Sequence, residues 1–467
     1  MQKEELKSLP GKITWLYSLG DIATSAPLSF IAFFQLIFLT DVAGLRPDLA
    51  GYAVLIGKIW DGFNDPIFGY VSERIKHKMG RRRVVLLWAA VPFGISFFLQ
   101  FISIGWDSQL SMMLFYAGTI IVFDTIYTTI HISYNALTPA ITSDYDLQST
   151  LNGYRMAYSI FGTLISIIIA TLIGKVVVDP RTRYQLLGAM IGAMAVLPIF
   201  VVYAVTEEYD SPEAPETDEK VTLRESISSA LSSKPFRYLI LLYLFSWTTA
   251  SLVASVLVFF ANYYLQLPEQ ANYFVLVSQT SAILFIPFWV WMAQKFDKRR
   301  SFIWGSISWA IIMVFLAMAQ PSQVVLVYIL ATLSGAGIAT AYFLPWAMIP
   351  DIVDYDELMN GQRREGIFYA FISFFQKLGT GLAIWAFGVS LAAFGYISPE
   401  AGSTILPVQP ESAVTAIRLA MGLVPAILLT FAIIFAYFYP IDRTMFEDIR
   451  RKLTIKNSIG KEPAATD

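Results

Sequence analysis

Long apolar blocks alternate with short polar loops along the whole chain. A hydrocarbon core about 30 Å thick needs roughly 20 consecutive apolar residues for one helix to cross it. Twelve segments meet that length: 13–40, 48–73, 84–104, 109–138, 149–177 and 184–205, then 236–266, 271–294, 301–319, 323–349, 366–395 and 412–440. Between the sixth and seventh lies EEYDSPEAPETDEK, acidic, Pro-containing and poor in aromatics, which reads as a linker. The pattern predicts an all-α membrane protein with twelve transmembrane helices in two six-helix halves, 1–205 and 236–442. Residues 206–235 are the linker and 443–467 a polar tail.

Composition agrees with a chain built for lipid. Hydrophobic residues make up 56% and charged residues 15%, where soluble domains carry about 25% charged residues. The formal net charge of −2 gives no argument for a nucleic-acid partner. Cysteine is absent, which removes disulfides, thiol catalysis and cysteine-based metal or iron–sulfur sites. With only His77 and His131, a His-rich metal site is excluded. The polar stretch 1–12 leads into an apolar segment too long for a signal-peptide core, so the first helix is expected to be retained.

Lys and Arg set the expected orientation. The loop after the second segment holds Arg74, Lys76, Lys78, Arg81, Arg82 and Arg83, and the loop after the eighth holds Lys295, Lys298, Arg299 and Arg300. The tail is basic as well, whereas the opposite loops hold only Arg46, Arg181 and Arg183. Both termini are therefore expected in the cytoplasm, in a multi-pass protein of the plasma (inner) membrane.

The halves echo each other on the basic side. Ala136, Pro139 and Ile141 precede Asp144, Tyr145 and Asp146; Ala347, Pro350 and Ile352 precede Asp354, Tyr355 and Asp356, with one residue fewer between. A repeat about an axis along the membrane normal is the arrangement of major facilitator transporters, with the solute site between the halves near mid-membrane.

Charges inside apolar segments carry the candidate chemistry, because a carboxylate at that depth costs about 2.5–3.5 kcal/mol on insertion scales and needs a polar neighbour. In the second segment Asp61 and Asp65 are four apart and share a face, with Lys58 on the same side. Two carboxylates beside one lysine leave a negative charge that a monovalent cation, Na⁺ or H⁺, would balance, and oxygen ligands suit a hard ion. The competing reading is a Lys–Asp network that only ties helices together. Asp124, Thr128 and His131 form one polar stripe on the fourth segment. Lys377 lies well inside the eleventh and needs an anionic partner, for which Asp21 in the first is one candidate. Trp60, Trp247 and Trp346 belong to a set of aromatics able to stack on a solute. Asp144, Asp146, Asp354, Asp356, Arg363 and Arg364 lie near the basic loops and suit a gate or latch between the halves.

These residues make the chain resemble the glycoside–pentoside–hexuronide:cation symporters, the melibiose-permease-like branch of the major facilitator superfamily. The matching pieces are Tyr17, Gly20 and Asp21; Thr40, Asp41 and Gly44; Trp60, Asp61, Asn64, Asp65, Pro66 and Gly69; Gly80 to Arg83; the element at Pro139; Asp351, Asp354 and Tyr355; and Phe375, Gln376, Lys377 and Gly379. The resemblance implies a cation site at Asp61, Asn64, Asp65 and Thr128, with no other cofactor. It aligns Lys377 with the family's lysine on the eleventh helix and Arg155 with the arginine after the loop between the fourth and fifth; with Asp21, Asp124 and Trp346, read from the residues themselves, they form the expected solute site. At the positions where acidic residues grip the sugar in the galactoside-specific branch, this chain has Ser25 and His131, and Asn135 replaces the aromatic.

The function expected is cation-coupled symport of a small solute, a sugar or glycoside, by alternating access. The alternatives are an amphipathic solute, since residues 341–346 resemble a stretch of animal lysophospholipid transporters, or a non-transporting sensor. No nucleophile elbow or phosphate loop supports an enzyme.

Overall fold

The computed structural model describes residues 11–72, 75, 77–142, 145–206, 232–361, 364–400 and 403–459. Asp144 and Arg363 of the expected gate, Arg74 and Lys76 of the basic loop, and nearly all of the linker lie outside them, as does the side chain of Asp146. The first six helices are α1 (Gly11–Val42), α2 (Pro47–Ser72), α3 (Arg81–Gln100), α4 (Gln109–Ile141), α5 (Tyr145–Val176) and α6 (Pro180–Val205). The second six are α7 (Lys234–Tyr264), α8 (Ala271–Lys295), α9 (Lys298–Met318), α10 (Val324–Asn360), α11 (Glu365–Ala393) and α12 (Glu411–Phe438). A terminal helix, α13 (Arg443–Ile459), occupies much of the expected tail.

Eleven of the twelve are long and apolar enough to cross a membrane by composition. The exception is α2, whose mid-helix run holds Lys58, Asp61 and Asp65. The helix that looks least like a membrane span is thus the one with charge in the middle of its length, where protein must receive it.

The halves pack alike. Within the first, α1 lies against α5 and α6, α2 against α4, and α3 against α4 and α6. Within the second, α7 lies against α11 and α12, α8 against α10, and α9 against α10 and α12. Between the halves, α1 meets α7, α2 meets α11 and α5 meets α8. The α2–α11 seam depends on small residues: a Cβ on Gly388 would come within 2.4 Å of Pro47 O, and one on Gly51 within 3.0 Å of the Trp385 backbone.

The symmetry extends to the helix ends. Both α1 and α7 finish in a π turn, Phe38–Val42 and Phe260–Tyr264. The closing bonds match, Ala43 N–H to Phe38 O at 2.9 Å and Leu265 N–H to Phe260 O at 2.9 Å. In both, the chain then turns through a positive φ, at Gly44 and Gln266.

At the end opposite the basic loops, one apolar core runs through both halves without a break. At the basic end, a second core belongs to α7–α13 alone. There α10 continues to Asn360, eleven residues beyond its expected end, and stops at Gly361 with φ +75°. The acidic element expected to follow this helix therefore forms its last turns. Its carboxylates staple neighbours in the same half: Asp351 to Lys298 of α9 at 2.7 Å, Asp354 to Arg450 of α13 at 2.7 Å, and Asp356 to Arg364 before α11 at 2.7 Å.

Candidate functional site

α2, α4 and α11 bring five charged side chains together in the middle of the bundle. Gly57 lets α2 and α4 close, since a Cβ there would lie 2.2 Å from Ile120 Cγ2. Lys58 Nζ lies 3.0 and 3.1 Å from the two carboxylate oxygens of Asp124, and 3.6 Å from Asp61 Oδ2. Lys377 Nζ bridges Asp61 Oδ1 at 2.7 Å and Asp65 Oδ2 at 2.8 Å, and also donates to Asp61 O at 3.1 Å. Thr128 Oγ1 lies 2.9 Å from Asp65 Oδ1 and 3.3 Å from Asp61 Oδ1, with one proton to give to either. Asn64 is buried on the α2–α4 seam, its Nδ2 3.5 Å from Asp124 O. The side chains of Asp61 and Asp124 are 4% and 2% exposed, so the inner part of this network is screened by protein rather than by water, while Asp65 is 33% exposed.

Two placements depart from the sequence reading. Asp124, expected on the solute side, belongs to the charge network through Lys58. Lys377 pairs with Asp61 and Asp65, not with Asp21. The partner of Asp21 is Arg155 of α5, whose Nε lies 2.7 Å from Asp21 Oδ2. α5 packs on α1, so Arg155 reaches Asp21 within one half.

Arg155 organises a second polar cluster. It donates to Thr138 Oγ1 at 3.0 Å and to Asn135 Oδ1 at 2.5 Å, and its guanidinium stacks 4.4 Å from the Tyr134 ring. The Tyr134 hydroxyl lies 2.9 Å from Asp21 Oδ2. His131 stacks on Tyr127 at 5.3 Å, contacts Asn135 at 3.1 Å and is exposed. Ser25 Oγ is buried without a partner among the described residues, facing Gly162 of α5.

The second half supplies an aromatic group. Trp346 donates to the Tyr243 hydroxyl at 2.9 Å and packs against Tyr369 at 6.0 Å. Trp247 joins Tyr243 at 5.7 Å and Tyr342 at 5.1 Å, and donates to Thr380, one turn along α11 from Lys377. Tyr342, Trp346 and Tyr369 are each 36% exposed. Of this group the sequence offers Trp247 and Trp346 as candidates. The rest are scattered aromatics in a chain rich in them, and no spacing marks them.

At the end opposite the basic loops, Asp41 of α1 accepts hydrogen bonds from Tyr263 of α7 and from Tyr396 after α11, the latter at 2.7 Å. Sequence reading gave Asp41 no role, because both partners come from the other half.

Twelve spanning helices in two similar halves, with buried charge at mid-bundle, define a membrane transporter of the alternating-access kind. Residues 16–443 match the family described as MFS/sugar transport protein, and the chain belongs to that family. It is 32% identical to an uncharacterized symporter of Synechocystis sp., over 94% of this chain and 95% of that relative. It is 26% identical to the sodium-dependent lysophosphatidylcholine symporter 1-A of Danio rerio, over 98% of this chain and 91% of the relative. Its fold is similar to the inward open conformation of the xylose transporter XylE from E. coli, with a TM-score of 0.64, 15% identity, and 94% and 99% of the two chains covered. The chain is thus an integral, multi-pass membrane protein with the major facilitator fold.

Proposed function

We propose that this protein is a sodium-coupled symporter that carries a small solute by alternating access, with both termini in the cytoplasm. The observation that carries the reading is the Lys377 ammonium held between Asp61 and Asp65 inside the bundle. A structural network would be expected to balance. This one sets three carboxylates against two ammonium groups, an excess of one negative charge when all five are ionised. A sodium ion taken up by Asp61, Asp65 and the Thr128 hydroxyl would displace Lys377, and the freed ammonium would change what the neighbouring solute cleft offers. The sodium-dependent relative supports Na⁺ over H⁺.

The solute reading is a sugar or glycoside. Asp21, Asn135, His131 and Arg155 supply a mixed donor and acceptor set, and Trp346 and Tyr369 supply ring faces. A lysophospholipid is the second reading. One observation favours it: the polar groups lie in one half and the aromatic group in the other, which suits a solute with a polar head and an apolar body. Proteoliposomes under an inward sodium gradient, offered a panel of glycosides and lysophospholipids from outside, test both readings. Sodium-stimulated uptake of one class identifies it, and no stimulated uptake of any solute contradicts symport.

A further inference from the structure

Asp124 is a third carboxylate beside a site that needs two. It touches neither Thr128 nor Lys377; its two oxygens both face Lys58 Nζ, at 3.0 and 3.1 Å. Lys58 is one helical turn from Asp61 on α2, yet its ammonium sits closer to Asp124 than to Asp61, at 3.6 Å. Both side chains are buried, Lys58 10% and Asp124 2% exposed, so neither charge is relieved by water.

The charges alternate in a chain: Asp124, Lys58, Asp61, Lys377, Asp65. Without Asp124, two ammonium groups would face two carboxylates and the site would be neutral. Lys58 would then be free to swing fully onto Asp61 and occupy the oxygen that an incoming ion requires. With Asp124 in place, Lys58 is held back and the site keeps its single negative charge.

We propose that Asp124 is a positioning residue of the cation site: it does not ligate the ion, but by holding Lys58 it sets the charge that makes Asp61 and Asp65 a site for one monovalent cation. This rests on the reading of Asp61 and Asp65 as the coupling site. It makes a claim that reading does not, that the effect of Asp124 is cancelled by removing the charge of Lys58.

The test is equilibrium binding of radioactive sodium ion to the purified full chain, without solute, in five forms: wild type, Asp61→Asn, Asp124→Asn, Lys58→Gln, and Asp124→Asn with Lys58→Gln. Asp124→Asn is expected to weaken sodium binding roughly a hundredfold, the size of one extra unit charge about 6 Å away at an effective dielectric constant of about 20. The double variant, again with one net negative charge, is expected to recover to within about tenfold of the wild type. Lys58→Gln alone is expected to bind at least as tightly as the wild type. Thermal unfolding of each variant verifies that it is folded; if Asp124→Asn does not fold, failure or recovery of the double variant decides the matter. Full binding by Asp124→Asn, or no binding by a folded double variant, overturns the inference. Wild-type binding that survives Asp61→Asn, or is absent in the wild type, overturns the coupling-site reading and the inference with it.

Discussion

Asp41 and Tyr263 hold the same position in the π turns that end α1 and α7, and they hydrogen-bond to each other across the two halves. A pair of repeat-equivalent residues that meet must lie close to the pseudo-symmetry axis. Tyr396 completes the clamp from beside α11. Around it, Lys175 of α5 lies 5.4 Å over the Tyr273 ring of α8, and Tyr52 packs on Trp385 at 5.9 Å. This end is shut, and opening it must break the clamp.

The clamp predicts a shift in resting state. Hydrogen bonds to a charged group contribute about 1.5–3 kcal/mol each. Replacing both Tyr263 and Tyr396 by Phe is expected to favour the outward-open state by at least about tenfold. The readout is labelling of a cysteine introduced at Ile384, which is 3% exposed, in a chain that has no other cysteine. Faster labelling from outside is expected; an unchanged rate in the folded variant contradicts a gating role.

The acidic turns at the basic end have a different expected phenotype. Asp354 and Asp356 have 2% and 1% exposed side chains and pair with Arg450 and Arg364. Converting both to Asn is expected to raise hydrogen exchange in α13 and the first turn of α11, while leaving labelling at Ile384 unchanged. A change in that labelling would return these acids to the latch between halves. The first turn of α13 is also expected to respond to pH. The Met445 N–H bonded to Asp442 at 2.9 Å holds that carboxyl below its usual range. Its contribution is present above the ordinary carboxylate pKa and lost as pH falls through the depressed value, so exchange in α13 is expected to rise under acid conditions.

Solute preference is expected to reside around Arg155. The fork to Asp21, Thr138 and Asn135 has a geometry that lysine cannot reproduce. Arg155→Lys is expected to reduce solute affinity about tenfold or more, with sodium binding nearly unchanged. Converting Ser25 or His131 to Asp is expected to alter the ranking of solutes more than the cation dependence. A solute profile unchanged in all three variants, measured by counterflow, would place the solute elsewhere.

The spans and the Asp61–Asp65 pair were legible because each is local: one follows from segment length, the other from two residues on one helical face. Asp124 was assigned to the solute by a true observation, its stripe with Thr128 and His131, that spacing could not complete. One face of α4 serves two neighbours along its length, and Asp124 falls where Lys58 of α2 stands, while His131 lies exposed beyond it. Asp21 was offered Lys377 because both were deep and opposite in charge; only the α1–α5 packing shows that Arg155 is nearer. The Asp41 clamp is 222 and 355 residues long in sequence and left no local trace.

We propose that Asp61 and Asp65 couple a cation to solute movement. The most direct measurement compares two assays on the same proteoliposomes, sodium-gradient-driven accumulation and solute counterflow at equal sodium, for wild type and for Asp61→Asn with Asp65→Asn. The double variant is expected to lose accumulation while keeping measurable counterflow. Accumulation by the double variant at the wild-type level would contradict it.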